Sequence, residues 1–369
     1  MPTATTTAQT RPSDQLDQLI SDLGAGGGTD PAIAERLVEA VRRRRRPLRI
    51  QVAGRALSGR TTVLAALALL SAQETEPVDQ PGLPDPVLDG DLVVYVLAGA
   101  PQAADLRVLE TLPRDRSIVV LNKADAMGSR WGDAVAAAER FARELRLPVV
   151  PVVASLAART RAGSVGAADL SELRRLAVGP DVPSVLAAEL FIGAGSDQDA
   201  RRRLIENWDL YGVDCALTAL RADPDLTSAA LIQILHSAGG IDPLHRLVHR
   251  RYEQVEAVRG GELLDELVRL AARAVPGDGG RARALIEQYL VGDEALWIGL
   301  CAGLACPQVA HLAAGYPSPA PGDADEALSR ATRWRAVVSS DMPPSARRAA
   351  LRVHNGYVRA WERMSSAGL

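Results

Sequence analysis

Residues 48–67 read LRIQVAGRALSGRTTVLAAL: an apolar run, a glycine-flanked turn, then a helical pattern. The turn, GRALSGRT, has the spacing G-x-x-x-x-G-K-[ST], except that Arg60 stands at the lysine position. Gly54 and Gly59 flank a loop whose backbone N–H groups, through Ser58, Arg60, Thr61 and Thr62, can wrap a phosphate at the start of the next helix. The Thr61 hydroxyl is the type of group that ligates Mg²⁺ there. Arg60 keeps the positive charge, but its planar fork is bulkier than the compact ammonium of a lysine inside a tight loop.

A second group of residues bears on the base. LNKADAMG places Asn122, Lys123 and Asp125 directly after a strand-like run, in the pattern N-K-x-D. The Asp125 carboxylate can accept two hydrogen bonds, from the guanine N1–H and the exocyclic amine. Adenine offers no such pair of donors. The Lys123 stem would cover the base, and Asn122 would tie this loop back to the phosphate loop. The plainer reading is a surface turn after a strand. Against it, the chain's single lysine falls in this motif. Two weaker elements fit the same scheme. DQPG, Asp79 to Gly82, matches D-x-x-G, whose aspartate would reach Mg²⁺ through water. It also reads simply as a Pro-Gly turn. Ala154, Ser155 and Leu156 follow a later apolar run and would offer backbone groups to the base.

The elements that must position these residues are legible in outline. Strand-like runs occur at LRIQVA, DLVVYVLA, SIVVLN and VVPVVA, separated by helical patterns at about 60–72, 102–112 and 130–146. Continuous apolar strands alternating with helices predict a mostly parallel sheet covered on both faces. Before it, residues 1–12 read as disordered and 14–23 as a short helix. A second helix starts with Asp30 as N-cap and Pro31 in its first turn, carries Ile33, Leu37 and Val41, and ends at Pro47. After a linker at 177–184 the strand signals stop and helices follow. The last, 344–364, has a stripe of Ala346, Ala350, Val353, Tyr357, Trp361 and Met364, for which the helix at 30–45 is the natural partner. The expected organisation is thus leading segments at 1–46, an α/β domain at 47–176 and an all-α domain at 183–369.

Composition narrows the function classes. With 369 residues, 47% of them apolar, and a net charge of −3, the chain can build two cores and has no general bias toward nucleic acid. No apolar run approaches the ~20 residues of a membrane span, and the start lacks a secretory pattern, so the expected location is cytoplasmic. Cys215, Cys301 and Cys306 show no metal-ligand spacing. His245 and His249 share a helix face but have no further ligand beside them in sequence. The run Arg42–Arg46 reads as the dipole-favoured, solvated end of its helix, with acidic lipid or nucleic acid as the alternative partner.

Phosphate loop, D-x-x-G, N-K-x-D and final guanine loop, in that order, resemble a translation-factor-class P-loop GTPase. More closely, PLRIQVAGRALSGRTTVLAAL, DGDLVVYVLAGAPQAADLRVLE and VVLNKAD resemble bacterial dynamin-type GTPases. LIENWDLYGVDCALTALR and ILHSAGGIDPLHRLVHRRY are similar to the helices after the G domain in a group of these proteins from high-GC bacteria. The resemblance implies a P-loop G domain, here compacted by the departures below, GTP/GDP and Mg²⁺ as ligands, association with itself or a related GTPase, and membrane-linked work.

The departures shape the expectation. After a helix to about 72, only QETEPV remains before Asp79. Fully extended it spans about 20 Å, too little for the effector loop and strand hairpin of a typical G domain. Thr75 is the sole threonine in it. The expected protein therefore keeps base recognition, hydrolyses GTP weakly or not at all, and serves as regulatory or heterodimeric partner of a fuller GTPase. Two alternatives stay open: an active GTPase completed in trans, and a nucleotide-free pseudo-GTPase scaffold.

Overall fold

The computed structural model describes residues 14–25, 31–128, 130–179, 187–193, 197–274 and 279–367. The expected disorder at 1–12, the Asp30 cap and most of the linker at 177–184 lie outside these residues. Two helices lead, α1 (Asp14–Ala25) and α2 (Pro31–Arg45). Then come β1 (Ile50–Gly54), α3 (Arg60–Leu67), β2 (Ala72–Glu74), β3 (Leu92–Leu97), α4 (Ala103–Thr111), β4 (Ser117–Asn122), α5 (Trp131–Leu145) and β5 (Val149–Val152). The remainder is helical: α6 (Ala154–Ala162), α7 (Ala167–Val178), α8 (Ala188–Gly193), α9 (Gln198–Ala222), α10 (Ser228–Ala238), α11 (Ile241–Arg273), α12 (Gly279–Leu290), α13 (Asp293–Ala305), α14 (Ala324–Val338) and α15 (Pro344–Ala367). The chain forms two compact units, Leu48–Tyr252, and Met1–Pro47 together with Glu253–Leu369.

In the Leu48–Tyr252 unit the strands make one sheet in the order β2-β1-β3-β4-β5, parallel throughout. β3 and β4 are buried along their whole length, which is why they read as unbroken apolar runs. Ala53, Tyr95, Leu97, Val119 and Leu121 meet Leu109 of α4 and Phe141 of α5 in one cluster. Strand order reverses beside β1: the chain leaves it for β2, then returns to its other side as β3. Ligands of open parallel sheets bind outside the strands' C-terminal ends at such a reversal. A second cluster of this unit joins Leu156, Leu173, Leu204, Trp208, Leu217 and Leu231, from α6, α7, α9 and α10.

One stretch departs from the sequence expectation. The helix expected to reach 72 stops at Leu67, where Ala68 takes a left-handed conformation (φ 45°) and its N–H bonds back to Leu64 O. The freed residues make β2, paired in register with β1 from Ile50↔Ala72 to Val52↔Glu74. The chain stays beside β1 beyond it, with Thr75 N–H on Val52 O at 3.1 Å and Val78 N–H on Gly54 O at 3.0 Å. An edge strand needs apolar cover on little of its length, so AQE gives no apolar signal.

In the other unit α1, α2, the C-terminal part of α11 and α12 share a core of Leu16, Leu19, Leu37, Val41, Leu267 and Ile286. The first turns of α1 and α13 satisfy each other: Glu294 Oε2 accepts Leu16 N–H at 2.9 Å, and Gln15 Oε1 accepts Glu294 N–H at 3.2 Å. The stripe of α15 does not pack on α2 as expected. Ala346, Ala350, Val353 and Tyr357 instead join Leu300 of α13 and Ala331 and Trp334 of α14. Gly303 explains the choice, because a Cβ there would lie 2.5 Å from Val353 Cγ2. Small residues let α13 and α15 approach more closely than other pairings permit. Trp361 and Met364, at the end of the stripe, remain 36% exposed.

Candidate functional site

β1 delivers Gly54 to the C-terminal edge of the sheet, and the chain turns through 55–59 into α3. Both glycines are required by geometry. At Gly54 (φ 149°) a Cβ would stand 2.5 Å from Val96 O, and at Gly59 (φ 89°) one would stand 2.2 Å from Asn122 Nδ2. Gly59 is the N-cap of α3, so the N–H groups of Arg60, Thr61 and Thr62 head a helix whose first turn has no internal acceptors. The Thr61 side chain is exposed and Thr62 half-buried. Ser58 is buried, and its Oγ has no hydrogen-bond partner. Leu57 at the tip is left-handed (φ 63°) and 89% exposed.

Arg60 does not point its charge into open space. Its Nη2 lies 3.2 Å from Glu74 Oε1, its Nη1 donates to Thr75 O, and only 11% of the side chain is exposed. The edge strand β2 thus captures the cation that a phosphate loop would present. Thr75 is spent as well: its hydroxyl donates to Glu76 O at 2.9 Å.

Asn122, the last residue of β4, clasps three segments. Its Nδ2 donates to Ser58 O at 3.0 Å and its Oδ1 accepts Ala154 N–H at 3.2 Å. The side chain is buried. Lys123, left-handed at φ 57°, donates from Nζ to Leu57 O at 3.1 Å. Ala154, Ser155 and Leu156 open α6; the first and last are buried and Ser155 is half-exposed. The three sequence-predicted segments, around 58, 122 and 154, are therefore one hydrogen-bonded group.

Asp125 sits exposed in the short 3₁₀ turn Ala124–Ala126. Surrounding protein raises its carboxyl above the usual range and the Asp209 charge adds to this, while its own backbone N–H and Lys123 oppose the shift. Asp209 interrupts α9 with a non-helical conformation (φ 55°, ψ 173°) and pairs with Arg159 of α6 at 3.1 Å. A non-glycine residue in that region is strained. Sequence reading named neither Glu74 nor Asp209. The one lies in a polar stretch and the other in a helical pattern, so neither carries a local signal.

Asp79 follows Val78, which bonds to Gly54, so the D-x-x-G segment does reach the loop. Its side chain is 58% exposed and lies 3.5 Å from Arg107. Its backbone (φ 64°) donates to Asp85 Oδ1 at 2.8 Å. Among the described residues no three His, Cys, Asp or Glu side chains converge, His245 and His249 included. The three cysteines are free. No described helix is long and apolar enough to cross a membrane. Comparison with models of protein families gave no match, and comparisons with curated proteins and with solved structures gave none either.

Proposed function

We propose that the Leu48–Tyr252 unit is a compacted P-loop G domain that binds guanine nucleotide, in a dynamin-like protein with weak or no intrinsic hydrolysis. The Asn122 clasp carries this reading, since it joins the glycine loop, the N-K-x-D turn and the Ala154 turn at the C-terminal ends of the strands. The N–H groups that open α3 and the unpartnered Ser58 hydroxyl suit a loop that receives an anion. In this reading Gly54, Ser58, Gly59, Arg60, Thr61 and Thr62 surround the phosphates. Lys123 and Asp125 hold the base, with Ala154, Ser155 and Leu156 beneath it. Thr61 and Asp79 would hold Mg²⁺, which when bound neutralises phosphate charge. The protein would act in the cytoplasm as regulatory or heterodimeric partner of a fuller GTPase, in membrane-linked work. Calorimetric titration with GTP, GDP and ATP in Mg²⁺ tests it: guanine nucleotides should bind and ATP should not. Equal binding of all three would sink base recognition.

The Arg60–Glu74 contact favours a second reading, the nucleotide-free scaffold, because the loop's cation is already neutralised. Glu74→Gln separates the two. In the lead reading a freed guanidinium gains a charged hydrogen bond to phosphate, and GTP affinity rises about tenfold. In the scaffold reading, neither chain gains thermal stability from any nucleotide. Turnover that appears only when a related GTPase is added would point instead to completion in trans.

A further inference from the structure

The unit formed by Met1–Pro47 and Glu253–Leu369 contains a cavity of about 430 Å³ between α2 and the C-terminal part of α11. Arg36, Arg43 and Arg44 line it from α2, and Arg259 and Arg269 from α11. Glu39, Glu262 and Glu266 also line it, so five guanidiniums face three carboxylates. Two of the carboxylates are engaged: Glu39 with Arg42 at 3.4 Å, outside the lining, and Glu266 with Arg269 at 2.7 Å. Among the described residues no carboxylate stands within ion-pair distance of Arg36, Arg43 or Arg44. Arg259 is buried, with Nη1 donating to Arg46 O at 2.7 Å, which fixes its fork in place.

The helix dipole explains basic residues in the last turn of α2. It does not explain Arg36 in mid-helix, nor the convergence of Arg259 and Arg269 from another helix. Arg36, Ala40, Arg43 and Arg44 recur at steps of three and four, so they form one face of α2 turned to the cavity. Like charges gathered around a cleft repel one another unless an anion joins them. Guanidinium forks match phosphate oxygens bidentately.

We propose that this cleft is a binding site for a compound bearing two or more phosphates, separate from the nucleotide site proposed above. Arg36, Arg43 and Arg44 supply the charge, and the buried Arg259 lines the floor. The same chemistry serves a soluble polyphosphorylated solute or a phosphoinositide headgroup.

The test is calorimetry of the full chain with inorganic triphosphate, on the wild type, on an Arg36→Gln/Arg43→Gln variant and on Arg60→Ala. Arg36 and Arg43 are exposed and Arg60 is half-buried, and the melting temperature checks that the fold is kept in each variant. Binding by the wild type that the double variant weakens about tenfold or more supports the cleft, whether or not Arg60→Ala removes a further, separate site. Absence of binding, or binding that only Arg60→Ala weakens, overturns it whatever becomes of the guanine reading. Sedimentation with phosphatidylcholine vesicles, with and without phosphoinositide, then assigns the source. Phosphoinositide-dependent capture lost in the double variant means a headgroup; triphosphate binding without capture means a soluble ligand.

Discussion

Asn122→Ala is expected to destabilise the protein by about 2–6 kcal/mol, because it leaves two buried backbone groups unpaired at about 1–3 kcal/mol each. The Ser58 carbonyl and the Ala154 N–H both bond to this one side chain. The truncation also removes the amide that Gly59 exists to accommodate, 2.2 Å from where a Cβ would be. Asn122→Asp refines the test. It keeps an acceptor for Ala154 but sets a carboxylate oxygen against the Ser58 carbonyl, so it should cost as much as alanine. Urea unfolding at unchanged slope measures both. A shift below about 0.5 kcal/mol, the usual scatter of surface substitutions, would mean that the three loops are held by something other than this clasp.

The second large effect concerns the base. Hydrogen bonds to a charged group contribute about 1.5–3 kcal/mol each, and Asp125 would accept two from guanine. Asp125→Ala should therefore weaken GTP binding about a hundredfold or more while leaving stability nearly unchanged, since the residue is exposed. Asp125→Asn should exchange specificity: the amide donates to the C2 carbonyl of xanthine, where guanine has an amine, so XTP replaces GTP as the tighter ligand. Unchanged GTP affinity in both variants would remove Asp125 from base recognition. The acid side adds an independent readout. The Asp125 carboxyl is held above the ordinary carboxylate pKa of about 3.9. The accepting carboxylate is present above that raised pKa and is lost as pH falls through it. GTP affinity should thus decline at a higher pH than for an unperturbed aspartate. Folding stability moves oppositely: the ionised form is disfavoured in the folded chain, so this residue's cost is present above the raised pKa and is relieved below it.

What the sequence made legible follows physical lines. β3 and β4 announce themselves because strands buried on both faces must be apolar throughout, and β1, broken only at the half-buried Gln51, and the half-buried β5 carry shorter apolar runs of the same kind. The N-K-x-D turn and the glycine loop are legible because φ > 0 and close backbone approach leave few residue choices. β2 was not, because pairing on one edge demands no apolar residue and a left-handed Ala68 is not written in its type. The contacts of Arg60 and Asp209 were hidden for another reason. Each depends on a partner in a different element, and an isolated Glu74 or Arg159 looks like any surface charge. The packing of α15 failed likewise: its stripe says that something covers it, and only Gly303 on α13 says what.

The interleaving of the two units has a consequence for synthesis on the ribosome. α1 and α2 leave the exit tunnel first, yet the groups that complete them are encoded far downstream: Arg259 reaches Arg46 O across 213 residues, and Glu294 reaches Leu16 N–H across 278. At about 5–20 residues per second the wait is on the order of ten to forty seconds or more. Throughout it, Leu16, Leu19, Ile33, Leu37 and Val41 have no core to enter. Leu48–Tyr252, contiguous in the chain, is encoded between the arm and both of its partners. The nascent protein therefore carries an apolar N-terminal arm for as long as the α/β unit is being made, and that arm is where a chaperone would be recruited.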